Sequence, residues 1–143
     1  MAKGETFDLL WLKKTLEDKT LLTKEGEKDA SVVLKDKHTV YIYFSAHWCP
    51  PCRGFTPVLT DKYNDKKATD PGIEIIFVSS DRNQDGFDGY YNEMPWCALP
   101  FADKDTGKLK DAYQVSGIPK LVILKDNFVD TDGRRAVTEK GLN

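Results

Sequence analysis

TVYIYFSAHWCPPCRGFTPVLTDKYNDKKATD, residues 39–70, decides the fold of this chain. It opens with TVYIYF, 39–44, a short run of β-branched and aromatic residues with little polar alternation, the pattern of a strand buried on both faces. From Cys49 the period changes. Phe55, Leu59 and Tyr63 recur every four residues, which predicts a long amphipathic helix. Pro57 falls inside that helix and is expected to kink it, because it lacks an N–H and its ring meets the preceding turn. Two cysteines, Cys49 and Cys52, stand where strand passes into helix, with Pro50 and Pro51 between them.

Outward from this unit, strands and helices alternate. Phe7, Leu10, Trp11 and Leu16 predict a helix over 6–17, capped by Thr6. Leu21 and Leu22 begin a short strand that turns at KEGEKD, and SVVLKD reads equally as strand or one helical turn. After Pro71-Gly72 comes a second buried strand, 73–80. A helix follows from near Gln84 or Asp85, then CALPF as a connection, a short helix in DKDTGKLKDAYQV, a third strand over 120–124 and a hairpin closed by 128–131. Such alternation predicts an α/β sheet with helices on both faces. After residue 132 little chain remains for a terminal helix, so residues 138–143 are expected to be a short, frayed or truncated tail.

The chain has 143 residues, a size that fits one domain, and 40% of them are apolar. Lys and Arg number 21 against 23 Asp and Glu, and the charges are scattered in sign. No basic stripe interleaved with aromatics marks a nucleic-acid surface. No apolar run approaches the roughly 18 residues of a membrane span. Residues 1–19 do not read as a secretory signal, since Leu9–Leu12 is short and Lys13 and Lys14 follow at once. Three cysteines are too few for a disulfide framework, which favours a reducing compartment: the cytoplasm, with a nuclear share.

The Cys49/Cys52 pair admits three readings. Zinc needs four ligands, and only Cys97, His38 and His47 remain, with no second pair. A structural disulfide would close a two-residue loop, and short loops remove little unfolded-state entropy. The redox reading has positive support. Cys49 falls at a helix N-terminus, where free N–H groups and the dipole favour a thiolate. Cys52 lies one turn inside, less exposed. Cys49 is then the attacking sulfur and Cys52 the resolving one. Pro50 and Pro51 fit the first turn, stiffen the loop and remove two donors that could have solvated the thiolate.

WCPPCRGFTP (48–57), DGFDGYYNEMPW (85–96), LPF (99–101) and GIPKLVIL (117–124) together resemble the tryparedoxin and nucleoredoxin branch of the thioredoxin superfamily, over about residues 20–137. The resemblance implies a thioredoxin fold over a single domain, 1–143, with residues 1–19 as a helical extension. The implied architecture is a central mixed, mostly parallel sheet ending in an antiparallel hairpin and flanked by helices. It also implies thiol–disulfide oxidoreductase activity, and Pro119 as a cis-proline opposite the cysteine pair. Ile118 would then offer its backbone to an extended substrate segment. A buried aspartate that helps move protons in thioredoxins is replaced here by Tyr43, as in tryparedoxins. A phenol is a poor base at neutral pH, so the Cys52 proton must leave through water or another group.

Trp48, Pro50, Ile118 and Pro119 are the candidate substrate-binding residues, Trp48 as a half-exposed wall. Tyr43, His47, Arg53 and Asp81 are candidate modulators. His47 and Arg53 could stabilise a thiolate or be solvated; Asp81 could meet substrate or serve a turn or cap. Trp96 and Cys97 read as core, and Asp85, Asp88, Arg134 and Arg135 as surface charges. The function expected is reduction of protein disulfides, peroxiredoxins among them, by a monomer. Its only redox group is the Cys49–Cys52 disulfide, with no flavin, nicotinamide or metal. Electrons come from an external dithiol or reductase, with trypanothione, thioredoxin reductase and glutathione all open. The competing expectation is a redox-dependent binding module that turns over little.

Overall fold

The computed structural model describes residues 6–142. In chain order its elements are α1 (Leu9–Leu16), β1 (Thr20–Thr23), β2 (Gly26–Asp29), α2 (Ala30–Leu34), β3 (Thr39–Ser45), α3 (Pro50–Thr69), β4 (Ile73–Ser79), α4 (Gln84–Tyr91), β5 (Cys97–Ala98), α5 (Thr106–Ala112), β6 (Lys120–Lys125), β7 (Phe128–Asp130) and α6 (Gly133–Lys140). The strands form one sheet in the order β2-β1-β5-β4-β3-β6-β7.

All seven residues of β3 are buried, as an apolar run without alternation requires when both faces are covered. Its side chains alternate between two cores. Val40, Ile42 and Phe44 join Ile76, Val78, Val122 and Leu124 on one face, under α1, α2 and α5. Tyr41 and Tyr43 join Ile75, Phe77, Leu121 and Ile123 on the other, under α3, α4 and α6. β4 runs parallel to β3 and β6 antiparallel, so β3 is bonded along both edges.

Several sequence expectations change. Asp8, not Thr6, caps α1, its carboxylate accepting from the Trp11 N–H at 3.1 Å. The ambiguous SVVLKD segment is helical in α2, because Ala30 and Leu34 fall one turn apart and both turn inward. CALPF is no mere connection: Cys97 and Ala98 form β5, parallel to β4 and antiparallel to β1. The sheet is mixed but not mostly parallel, since among the described residues only β3–β4 and β4–β5 are parallel pairs. The long helix expected after Cys49 stands as α3, with Pro57 inside it and its end at Thr69. The chain after residue 132 does form a helix, α6, which buries Val137 and runs into the expected tail as far as Lys140, and Leu142 beyond it is buried too. Residues 1–5 of the expected extension and Asn143 lie outside the described residues. The rest of that extension is built in, for Leu9, Leu12 and Leu16 are buried in the first core.

The docking of α6 is close. A methyl group at Gly133 would sit 2.6 Å from the Leu121 carbonyl oxygen and 3.0 Å from Ile123 Cγ1. Gly133→Ala is therefore expected to destabilise the chain by about 1–3 kcal/mol. Urea unfolding reads this as a lowered midpoint, and an unchanged midpoint would show that α6 is free to shift.

Candidate active site

β3 ends at Ser45, and after four intervening residues α3 begins at Pro50. Cys49 is the N-cap of α3 in extended conformation, with Pro50 and Pro51 as the first two helical residues. A helix start leaves about four N–H groups unpaired. Here the Cys49 N–H bonds the Ala46 carbonyl at 3.2 Å, and the prolines have none to offer. The Cys52 N–H is the one first-turn donor left to face an anion at Cys49, since Arg53 N–H already bonds the Cys49 carbonyl. The prolines thus concentrate the helix's anion-binding capacity on a single donor.

The loop leading to Cys49 is pinned from β4. Asp81 accepts from the His47 N–H at 2.8 Å and from the Ser79 hydroxyl at 2.6 Å. Asp81 is therefore a brace for this loop; the cap of α4 is Asn83. Trp48 is 46% exposed, its indole N–H donates to the Ser80 carbonyl at 3.0 Å, and the Arg82 guanidinium lies 4.6 Å over its ring. His47 stacks on Tyr90 and reaches Glu93 at 3.8 Å. Arg53 and Pro50 are exposed beside the pair.

Both sulfurs are buried, Cys49 at 5% exposure and Cys52 at 0%, in a small apolar cluster with Ala46 and Ile118. The Cys49 thiol points at the Ile118 carbonyl oxygen, 3.9 Å away. The Ile118–Pro119 peptide bond is cis. Burial, then a hydrogen bond with Cys49, pushes the Cys52 thiol up to about 11. A thiol that burial keeps protonated is suited to waiting, and one at the cap of a helix to attacking.

Tyr43 is fully buried, and burial pushes its phenol well above the ordinary range. Its hydroxyl reaches Thr56 Oγ1 at 2.7 Å and the Cys52 carbonyl at 3.3 Å. Three more groups were not singled out from sequence. Ser45 and Tyr90 share a 2.7 Å hydrogen bond, and Tyr90 and Thr56 one of 2.6 Å. Thr56, four residues after Cys52 on the same helix face, was the one with a readable signal. Arg134 also proves more than a surface charge: its guanidinium donates to the Pro119 carbonyl at 2.7 Å, tying α6 to the cis-proline loop. Beside it a cavity of about 420 Å³ is lined by Phe55, Pro119, Lys120 and Arg134.

The remaining metal candidates lie apart from the pair. His38 bonds Asp70 at 2.8 Å beyond the other end of β3, and Cys97 is buried on β5 against the Ile75 carbonyl.

A family model described as thioredoxin-like matches residues 36–128. The chain belongs to the thioredoxin-like family. Within it, the chain is 42% identical over 124 residues to a tryparedoxin of Trypanosoma brucei brucei, covering 83% of each. It is 48% identical over 101 residues to a probable nucleoredoxin 1 of Arabidopsis thaliana, covering 69% of this chain and 18% of that one. The crystal structure of a thioredoxin from Wuchereria bancrofti superposes with a TM-score of 0.80 at 40% identity, covering 88% of this chain and 90% of that one. The fold is thus a thioredoxin fold, on the nucleoredoxin and tryparedoxin side of the family. The chain spans from 18% to 30% of the length of the first nucleoredoxins it matches.

Two of the three thiols, Cys52 and Cys97, are held protonated, and this sets an order of reactivity. At pH 7 a thiol titrating near 11 is ionised to roughly one part in 10⁴. Cys97, wholly buried, is also pushed up, by burial first. Brief treatment of the reduced protein with iodoacetamide at pH 7 is expected to label Cys49 at least tenfold faster than Cys52 or Cys97, as read by peptide mass spectrometry. Equal labelling of Cys49 and Cys52 would contradict this order.

Proposed function

We propose that this chain is a protein-disulfide reductase whose redox group is the Cys49/Cys52 pair. One observation carries the reading: Cys49 is the cap of α3, while Cys52, one turn on, is fully buried and held protonated. The asymmetry suits a two-step exchange. The Cys49 thiolate attacks a substrate disulfide, forming a mixed disulfide and releasing one substrate thiolate, which takes up a proton. Cys52 then loses its proton and attacks Cys49 Sγ. The second substrate thiolate leaves, and Cys49–Cys52 becomes a disulfide. Two electrons have passed to the substrate, and an external dithiol or reductase returns them.

Substrate recognition follows from what surrounds the sulfurs. Trp48, Pro50 and Ile118 give an apolar frame, and Ile118 offers backbone groups beside Cys49 for an extended segment. Arg82 and Arg53 border the Trp48 side, and Arg134 holds the Pro119 side in place. Such a shallow, mixed surface fits a folded or unfolded protein disulfide, a peroxiredoxin among them, better than one small ligand. The electron carrier is the pair itself, without flavin, nicotinamide or metal. The chain acts as a monomer in a reducing compartment, the cytoplasm with a nuclear share.

The test is reduction of insulin disulfides driven by dithiothreitol, followed by turbidity. Wild type is expected to accelerate precipitation, and Cys49→Ser to lower the rate at least 10³-fold, to background. Cys52→Ser is expected to accumulate a mixed disulfide on Cys49 visible by intact-mass measurement. An inert wild type whose pair still oxidises would instead favour a binding module that engages a partner in one redox state.

A further inference from the structure

Resolution by Cys52 leaves one proton without a route. The thioredoxin-type carboxylate is replaced by Tyr43, whose phenol is held protonated by burial. Among the described residues, a row of hydroxyls runs beside Cys52, each with one hydrogen that can rotate between partners. Thr56 Oγ1 reaches the Cys52 carbonyl at 3.0 Å. Tyr43 lies 2.7 Å and Tyr90 2.6 Å from Thr56 Oγ1, and Tyr43 also reaches the Cys52 carbonyl at 3.3 Å. Tyr90 in turn lies 2.7 Å from Ser45 Oγ. Ser45 stands at the Cys52 end of the row, where its hydroxyl favours the Cys52 thiolate. Either oxygen of each hydroxyl pair can donate, so the row can pass a hydrogen along its length by rotation.

The row also has an exit. Thr56 and Tyr90 form the inner wall of a cavity of about 290 Å³ between α3 and α4, with Arg53, Asp61 and Glu93 at its sides. That volume and polarity suit water. Ser45 and Thr56 are otherwise buried, at 0% and 5% exposure, among apolar neighbours. No packing requirement calls for hydroxyls there, and four of them joined end to end are costly unless every member is satisfied.

We propose that Ser45, Tyr90 and Thr56 form a hydroxyl relay that carries the Cys52 proton to water in the cavity between α3 and α4. The inference rests on the reductase reading of the pair. As Cys52 Sγ commits to Cys49 Sγ, its proton passes to Ser45. Ser45 passes its own to Tyr90, Tyr90 to Thr56, and Thr56 turns from the Cys52 carbonyl to hand its proton to a water. No hydroxyl ionises, so the high titration ranges of the phenols are no obstacle. Afterwards each hydroxyl points back along the row, and Cys52 Sγ is bonded to Cys49 Sγ in the disulfide while the second substrate thiolate leaves. Tyr43 stands beside the row and holds Thr56 in position. Ser45, Tyr90 and Thr56 are thus positioning residues for the proton, acting through Cys52.

The test uses the full chain and 5,5′-dithiobis(2-nitrobenzoate). Attack by Cys49 releases one coloured thiolate, and resolution by Cys52 releases the second, so stopped-flow absorbance separates the steps. Wild type is expected to release two equivalents, the second phase with a solvent isotope effect from several protons in flight. Tyr90→Phe and Thr56→Val are expected to keep the first phase within about twofold and slow the second on the order of a hundredfold. Thr56→Ser, which keeps the hydroxyl, is expected to recover most of the lost rate. A Tyr90→Phe second phase at the wild-type rate overturns the relay. So does slowing of both phases alike, or a Thr56→Ser variant as slow as Thr56→Val, because either marks a merely structural role. Failure of wild type to release a second equivalent would sink the reductase reading itself.

Discussion

The whole site hangs from the burial of β3 on both faces. A seven-residue strand whose every side chain is buried can be stable only if helices cover both sides. That requirement places α3 and α4 against one face and α1, α2 and α5 against the other. It also fixes where the chain may become irregular. The first residues free of the sheet are Ala46, His47 and Trp48, and they emerge where β4 also ends, so Asp81 can brace them. The position of Cys49 is set by a rigid strand behind it and a rigid helix ahead of it.

Much of this was legible in sequence because the decisive signals were local. An apolar run, a change of period and a Pro-Pro pair at a helix start each depend on neighbours within one or two turns. β3, α3, β4 and β6 lie where those signals put them. What escaped depended on distant partners. β5 is two residues long and exists only because β4 and β1 lie on either side of it. α6 has few apolar residues, and its place comes from Val137 fitting the second core and from Gly133 allowing close approach to β6. The role of Arg134 needed the cis-proline loop, 15 residues away, to be beside it.

The same holds for the site. Cys49 and Cys52 announce themselves by spacing, and Tyr43 by its place before them. Ser45 and Tyr90 are 45 residues apart, and nothing in either neighbourhood says that their hydroxyls meet. Ordinary residues of a strand end and a helix face become chemistry only through the fold. Replacing one carboxylate with several neutral hydroxyls also changes the electrostatics: the buried sulfurs share no fixed negative charge, so a thiolate there is not repelled by its own support.

The seam between β1 and β5 has a different consequence. The β1–β2 hairpin joins the rest of the sheet through one register pair, Leu22 with Ala98, clasped by the Tyr91 hydroxyl bonding the carbonyls of both Leu22 and Trp96. The sheet contributes little to holding the hairpin, which is kept in place chiefly by Leu21 in the first core, Lys19 on Asp103 and Asp105, and Lys24 on the Tyr91 carbonyl. Detachment would bare the edge of a two-residue strand, a surface open to pairing with another chain. Amide hydrogen exchange across Thr20–Asp29 would then run faster than in β3, which is bonded along both edges.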